Sequence, residues 1–125
     1  MNLLAFEYRA CGAIAWITML TGALQMALPL RLLPILGVEP SAAAGQLFAT
    51  VGMFMLLFGA ALAHALRQPQ AASVVLLWTG LQKLGAALLV AWGVMHAVFN
   101  PLALLVAAFD FLSGLLLFDL RRRTK

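Results

Sequence analysis

The stretch "TGLQKLGAALLV", Thr79 to Val90, carries a single charge, Lys83, and the nearest acid along the chain is Asp110. Everything else in it suits a lipid environment. A charge at the centre of a bilayer costs ~2.5–3.5 kcal/mol on insertion scales, so such a residue has to pair or line a cavity. Where its partner lies decides how this chain folds.

The surroundings set the environment. Of 125 residues, 65% are hydrophobic and 10% charged, against about 25% charged in ordinary soluble domains. The composition therefore predicts one integral membrane domain. Net charge is +4, yet this does not mark a nucleic-acid binder. Four of the eight basic residues form the terminal run "RRRTK", and a basic cluster directly after an apolar span anchors at anionic headgroups. Nucleic acid is excluded as an expected partner; the bilayer is expected. Cys11 is the one cysteine, so no disulfide within the chain is available. The N-terminal "MNLLAFEYR" lacks a strongly basic start, and its apolar run outlasts a signal peptide's core, so it reads as a retained helix.

A spanning helix needs ~20 apolar residues to cross ~30 Å of hydrocarbon. The chain divides into spans at about 10–28, 42–66, 71–97 and 101–120. Pro29 and Pro34 break the first. Ser41 is placed to cap the second, which stops at Arg67 and Pro69. Asn100 and Pro101 are placed to start the fourth. An even number of spans puts both termini on one side. Arg9, Arg67, Arg121, Arg122, Arg123 and Lys125 fall on that side and only Arg31 on the other, which predicts both termini cytoplasmic. The 29–40 connection, "PLRLLPILGVEP", is apolar for an aqueous loop and is expected to lie at the outer interface or over the bundle mouth.

Packing signals come from small residues, which let helices approach closely where lipid supplies no hydrophobic drive. Gly45, Gly52 and Gly59 recur every seven residues, with Ala49, Leu56 and Ala63 each four later. This is a seam for helix packing or, alternatively, a smooth wall for a flat ligand. In span four, Ala103, Ala107, Asp110, Gly114 and Leu117 share one face; in span three, Thr79, Gln82, Lys83 and Ala86 do. Both faces must look inward.

Lys83 and Asp110 are the two formal charges deep in the spans, on consecutive antiparallel helices, and are expected to pair. Three roles are open to the pair: a structural bridge supported by Gln82 and Thr79, an ion-coupled site, or a polar anchor inside a pocket for an apolar ligand. Their depths match from the inner ends. From the outer turn they match only if span three ends near Gly93 rather than near Phe99. Gln25 and Gln46 fall in the outer half, as cross-helix hydrogen bonders or as candidate ligand-lining residues. His64 and His96 are expected at opposite interfaces. With one cysteine and no paired histidine spacing, neither a metal site nor a cofactor is expected. Glu7 and Arg9 are expected at the inner headgroups, and Asp119 beside the basic tail. No phosphate loop, nucleophile elbow or triad is present, so the chain is expected not to be an enzyme.

The four-span layout, with "GLQKLG" at 80–85 and "FDFLSGLLLF" at 109–118, resembles small bacterial inner-membrane proteins of the DoxX-like kind. The resemblance implies a four-helix bundle of the inner membrane, in some cases tied to membrane redox or lipid-handling complexes. It carries over no cofactor-binding residue. The leading expectation for function is an accessory or interaction protein, as a homo-oligomer or within a larger membrane complex. The alternatives are a binder or carrier of an apolar ligand (a lipid or quinone) and, third, a small ion-coupled transporter.

Overall fold

A computed structural model describes residues 2–125. The described chain is all α: α1 (Leu3–Ala27), a short α2 (Pro29–Leu32) continued by a 3-10 turn (Leu33–Leu36), α3 (Ala42–Ala65), α4 (Pro69–Met95) and α5 (Ala103–Arg123). The four long helices are each long and apolar enough to cross a membrane. Their outward surfaces are as apolar as a membrane requires: Leu88, Leu89, Trp92, Leu105 and Leu112 are all more than 60% exposed. A continuous apolar exterior of this kind calls for lipid rather than water.

Helix ends differ from the apolar runs for local reasons. α1 begins at Leu3, well before Ala10, because Asn2 caps it by accepting from the Leu4 amide at 3.1 Å. Hydropathy follows apolar character, and a helix can start among charged residues if its first amides are capped. α3 starts after Ser41, whose hydroxyl oxygen accepts from the Ala44 amide. Pro69 occupies the first turn of α4. α5 begins later than Pro101. Asn100 still organises the approach, its Oδ1 accepting from the Leu102 amide at 3.0 Å.

The bundle is two hairpins. α1 packs along α3 and α4 along α5, while contacts between the pairs are much sparser. In the first hairpin the α3 glycine seam is filled by α1: a methyl on Gly52 would stand 2.6 Å from the Gly22 carbonyl oxygen, and one on Gly59 2.8 Å from that of Ala15. In the second, a methyl on Gly114 would stand 2.8 Å from Leu84. The hairpins meet at the end where the termini lie. There Cys11, Ile14, Ala15, Leu62, Ala72, Leu76, Leu117 and Leu120 from all four helices form the apolar core.

The opposite end is held by its connections. Asn100 donates from its side chain to the Ile35 carbonyl and from its backbone to that of Leu36, both at 2.8 Å. This pins the 29–40 connection to the α4–α5 turn. Leu30 covers Gly45 at the top of α3. α4 closes with Ala97 at φ 57°, Val98 donating to Gly93 and Ala97 to Val94. That is a Schellman cap on a residue whose Cβ disfavours the left-handed region.

Three substitutions test this packing and the α4 cap by thermal unfolding in detergent. Gly52→Ala is expected to destabilise by about 1–3 kcal/mol, because its methyl meets backbone that cannot rotate away. Gly12→Ala, with no neighbour within 4 Å, is the control, expected to leave stability unchanged or raise it by up to ~1 kcal/mol through helix propensity. Ala97→Gly is expected to stabilise by about 1 kcal/mol, relieving the left-handed cap.

Candidate functional site

The charged residues that break the apolar rule come together. Lys83 Nζ donates to Asp110 Oδ1 at 2.9 Å, with the two side chains 2% and 9% exposed. The α4–α5 connection makes this meeting geometrically available. α4 ends at Met95 and the chain turns back at once, the Phe99 ring lying against Gly93. Lys83 then stands ~18 Å below the end of α4 at 1.5 Å per residue. Asp110 is seven residues into α5, ~10.5 Å below its start, and the long Lys83 side chain covers the remaining difference in level. Phe109 adds its ring face 5.2 Å from the ammonium, an attractive contact for a desolvated cation.

The neighbouring positions are less well satisfied. Thr79 is 2% exposed, one turn from Lys83, and its hydroxyl has no hydrogen-bond partner; the Oε1 of half-buried Gln82 also has none. The α5 face carrying Asp110 is buried along its length through Ala103, Ala107, Ser113, Gly114 and Leu117.

Where the hairpins part, they leave a crevice of about 260 Å³ between α1 and α5, with Met55 of α3 at its back. Ile17, Thr18 and Thr21 form one wall; Leu105, Val106 and Phe109 form the other; Lys83 and Asp110 lie at the base. Ile17, Leu105 and Val106 are all exposed, so the mouth opens sideways between helices rather than along the bundle axis. Within the bilayer that mouth faces lipid.

Thr18 was not singled out by sequence reasoning, although a signal existed. Cys11, Ala15, Thr18 and Gly22 recur at three- and four-residue spacing along α1, and all are buried. Thr21 and Thr50 bond back to carbonyls four residues earlier at 2.7 and 2.9 Å. Thr18, 2% exposed, makes no such bond and has no other partner.

The remaining sequence candidates lie elsewhere. Gln25 Nε2 reaches the Met55 sulfur across the α1–α3 interface at 3.3 Å, its Oε1 left without a partner. Gln46 is exposed on α3. Neither lines the crevice. His64 lies 3.1 Å from Gln68. His96 stacks on Trp92 with centroids 4.1 Å apart, at the other end of the bundle. Among the described residues no group of three or more His, Cys, Asp or Glu is placed to hold a metal ion.

Glu7, expected ahead of the first span, lies inside α1. It is 3% exposed and its Oε1 accepts from Arg123 Nε at 3.0 Å, while Arg123 also reaches Asp119 at 3.1 Å. The early start of α1 carries Glu7 into the helix, on the face toward α5. Arg121 adds a bond to the Ser73 carbonyl at 3.0 Å. The two ends of the chain are thus linked, at the end of the bundle opposite the Asn100 tie.

Comparison of the chain with protein-family models, with curated proteins and with solved structures finds no match. The site has to be read from its own chemistry.

Removing one partner of a buried ion pair leaves an uncompensated charge, which typically costs ~3–5 kcal/mol in soluble interiors. Asp110→Leu alone is therefore expected to lower the yield and melting temperature of folded protein more than Asp110→Leu combined with Lys83→Met. Equal damage from the single and double variants in a detergent melt is the result that counts against direct pairing.

Proposed function

We propose that this chain is a small multi-pass protein of the bacterial inner membrane, with both termini cytoplasmic, that carries out no chemistry of its own and binds an apolar small molecule. Support for the topology comes from the Glu7–Arg123 contact, which joins the two ends of the chain at one end of the bundle. Arg9, Arg67 and the terminal basic run belong to that same end, and Arg31 to the other.

The observation that carries the binding reading is the lateral crevice with a charged pair at its base. A pair serving only to join α4 and α5 is best enclosed completely. Here the Asp110 side chain is 9% exposed, the α1 wall includes Thr18, whose hydroxyl is buried without a partner, and the opening is lined by exposed apolar side chains. Small-molecule sites have this composition, mostly apolar with a few convergent polar groups. A second groove of about 250 Å³, along α1 and α3 near Trp16 and His64, contains no buried unpartnered polar atom among the described residues. The size of the crevice is just below the usual range for whole ligands, ~300–1,000 Å³. It therefore suits the head and first carbons of a lipid or quinone whose remainder stays in the bilayer.

The accessory-protein reading accounts for the small chain and its apolar exterior but gives the crevice no task. Ion-coupled transport is third, since one acid–base pair makes a short relay. The DoxX-like resemblance is compatible with the first two.

Native mass spectrometry of the protein released gently from its own membrane separates these readings. The expected result is a reproducible added mass of one small apolar molecule per chain. A ligand-free dimer, or a discrete assembly with another polypeptide, returns the accessory reading to first place.

A further inference from the structure

The crevice has a polarity of its own, and the occupant's head can be read from it. Resting on the binding role proposed above, we infer that the crevice takes a neutral amphiphile headed by a hydroxyl group, which donates to the carboxylate of Asp110 and accepts from the hydroxyl of Thr18.

The pair at the base is neutral overall, but its two members are not equally presented. The Lys83 side chain is 2% exposed and lies between Asp110 Oδ1 and the Phe109 ring. The Asp110 side chain is 9% exposed, and only its Oδ1 is engaged by Lys83. A group entering from the mouth therefore meets carboxylate oxygen before ammonium. An ionised carboxylate only accepts hydrogen bonds, so the entering group has to bring a donor. A carboxylate head brings none and faces like charge. An ether or ester head brings none either.

Thr18, a lining residue of the α1 wall, supplies the complement once its enclosed hydroxyl turns toward an occupant. Its hydroxyl is without a partner inside the protein and does not bond back along α1 as the Thr21 hydroxyl does. A threonine hydroxyl can donate one hydrogen bond, and leaving it unmade in an apolar setting is unfavourable. A head that both donates and accepts satisfies the two walls together. A hydroxyl is the smallest uncharged group that does so, and the 260 Å³ volume favours a small head. The class is thus an alcohol-headed lipid, its chain leaving between Ile17 and Leu105 into the bilayer.

The test uses three diazirine probes with one alkyl chain and different heads: an alcohol, its methyl ether and a carboxylate kept ionised. Each is photolysed with the whole protein in phosphatidylcholine nanodiscs, and labelled peptides are mapped. The expected result is saturable labelling around Ile17, Met55 and Leu105 by the alcohol, several-fold above the other two. Thr18→Val is expected to cut alcohol labelling about three- to tenfold, the worth of one hydrogen bond, and to leave ether labelling unchanged. Thr18→Ser is expected to restore it. Equal labelling by all three heads, stronger labelling by the carboxylate, or no effect of Thr18→Val would overturn the hydroxyl assignment while leaving a ligand-binding crevice in place. Labelling elsewhere but never at the crevice, by any probe, would remove both the assignment and the binding role beneath it.

Discussion

A lysine and an aspartate share one hydrogen bond inside a bundle that offers them almost nothing else, and the rest of the arrangement has to respect that bond. Charge is tolerated at membrane depth only when paired or placed at a cavity. Lys83 has one anionic partner within reach, Asp110 at 2.9 Å. Any sliding of α4 against α5 by a turn separates them by ~5.4 Å and leaves two unpaired charges in a low dielectric. The register of the second hairpin is thereby limited to one solution. The small residues on α5 then become necessary, since Ala107 and Gly114 let the helices close around the pair.

The first hairpin is organised differently. No charge crosses between α1 and α3 at depth; their proximity depends on glycine. Gly22 and Gly52 face one another so closely that neither position has room for a methyl. Association in lipid depends on van der Waals contact of this kind, because apolar side chains gain little by leaving an apolar solvent. Each hairpin is thus internally complete, one through charge and one through shape. Their union is left to the apolar core at the terminal end and to the Asn100 bonds at the other. A bundle tied at both ends and sparsely packed between them has room for a lateral crevice, and this bundle has one.

The residues of the site were unequally legible. Lys83 and Asp110 stand out in sequence because a charge in an apolar run is rare, and their helical spacing placed them on inward faces. Thr79 and Gln82 followed from the same face. Thr18 did not stand out, since threonine is common in spans and ordinarily bonds to its own helix; only the absence of that bond distinguishes it. Gln25 and Gln46 drew notice as polar residues at the right depth, yet depth alone does not specify direction around a helix. Glu7 was read as preceding the first span because hydropathy locates apolar runs, whereas α1 begins with its cap at Asn2.

The sequence by itself determined the class of fold, since only helices and closed barrels satisfy every backbone group in lipid and the four apolar runs have the length of spanning helices, not of strands. It also determined which charges had to be reconciled, because their cost depends on composition and depth alone. Only the tertiary structure decided how the helices divide into two hairpins, which wall faces the pair, and that Asp110 is the more exposed of its two members. Those outcomes depend on how each helix is rotated about its axis and on contacts between residues far apart in the chain. Local patterns constrain such terms but do not set them.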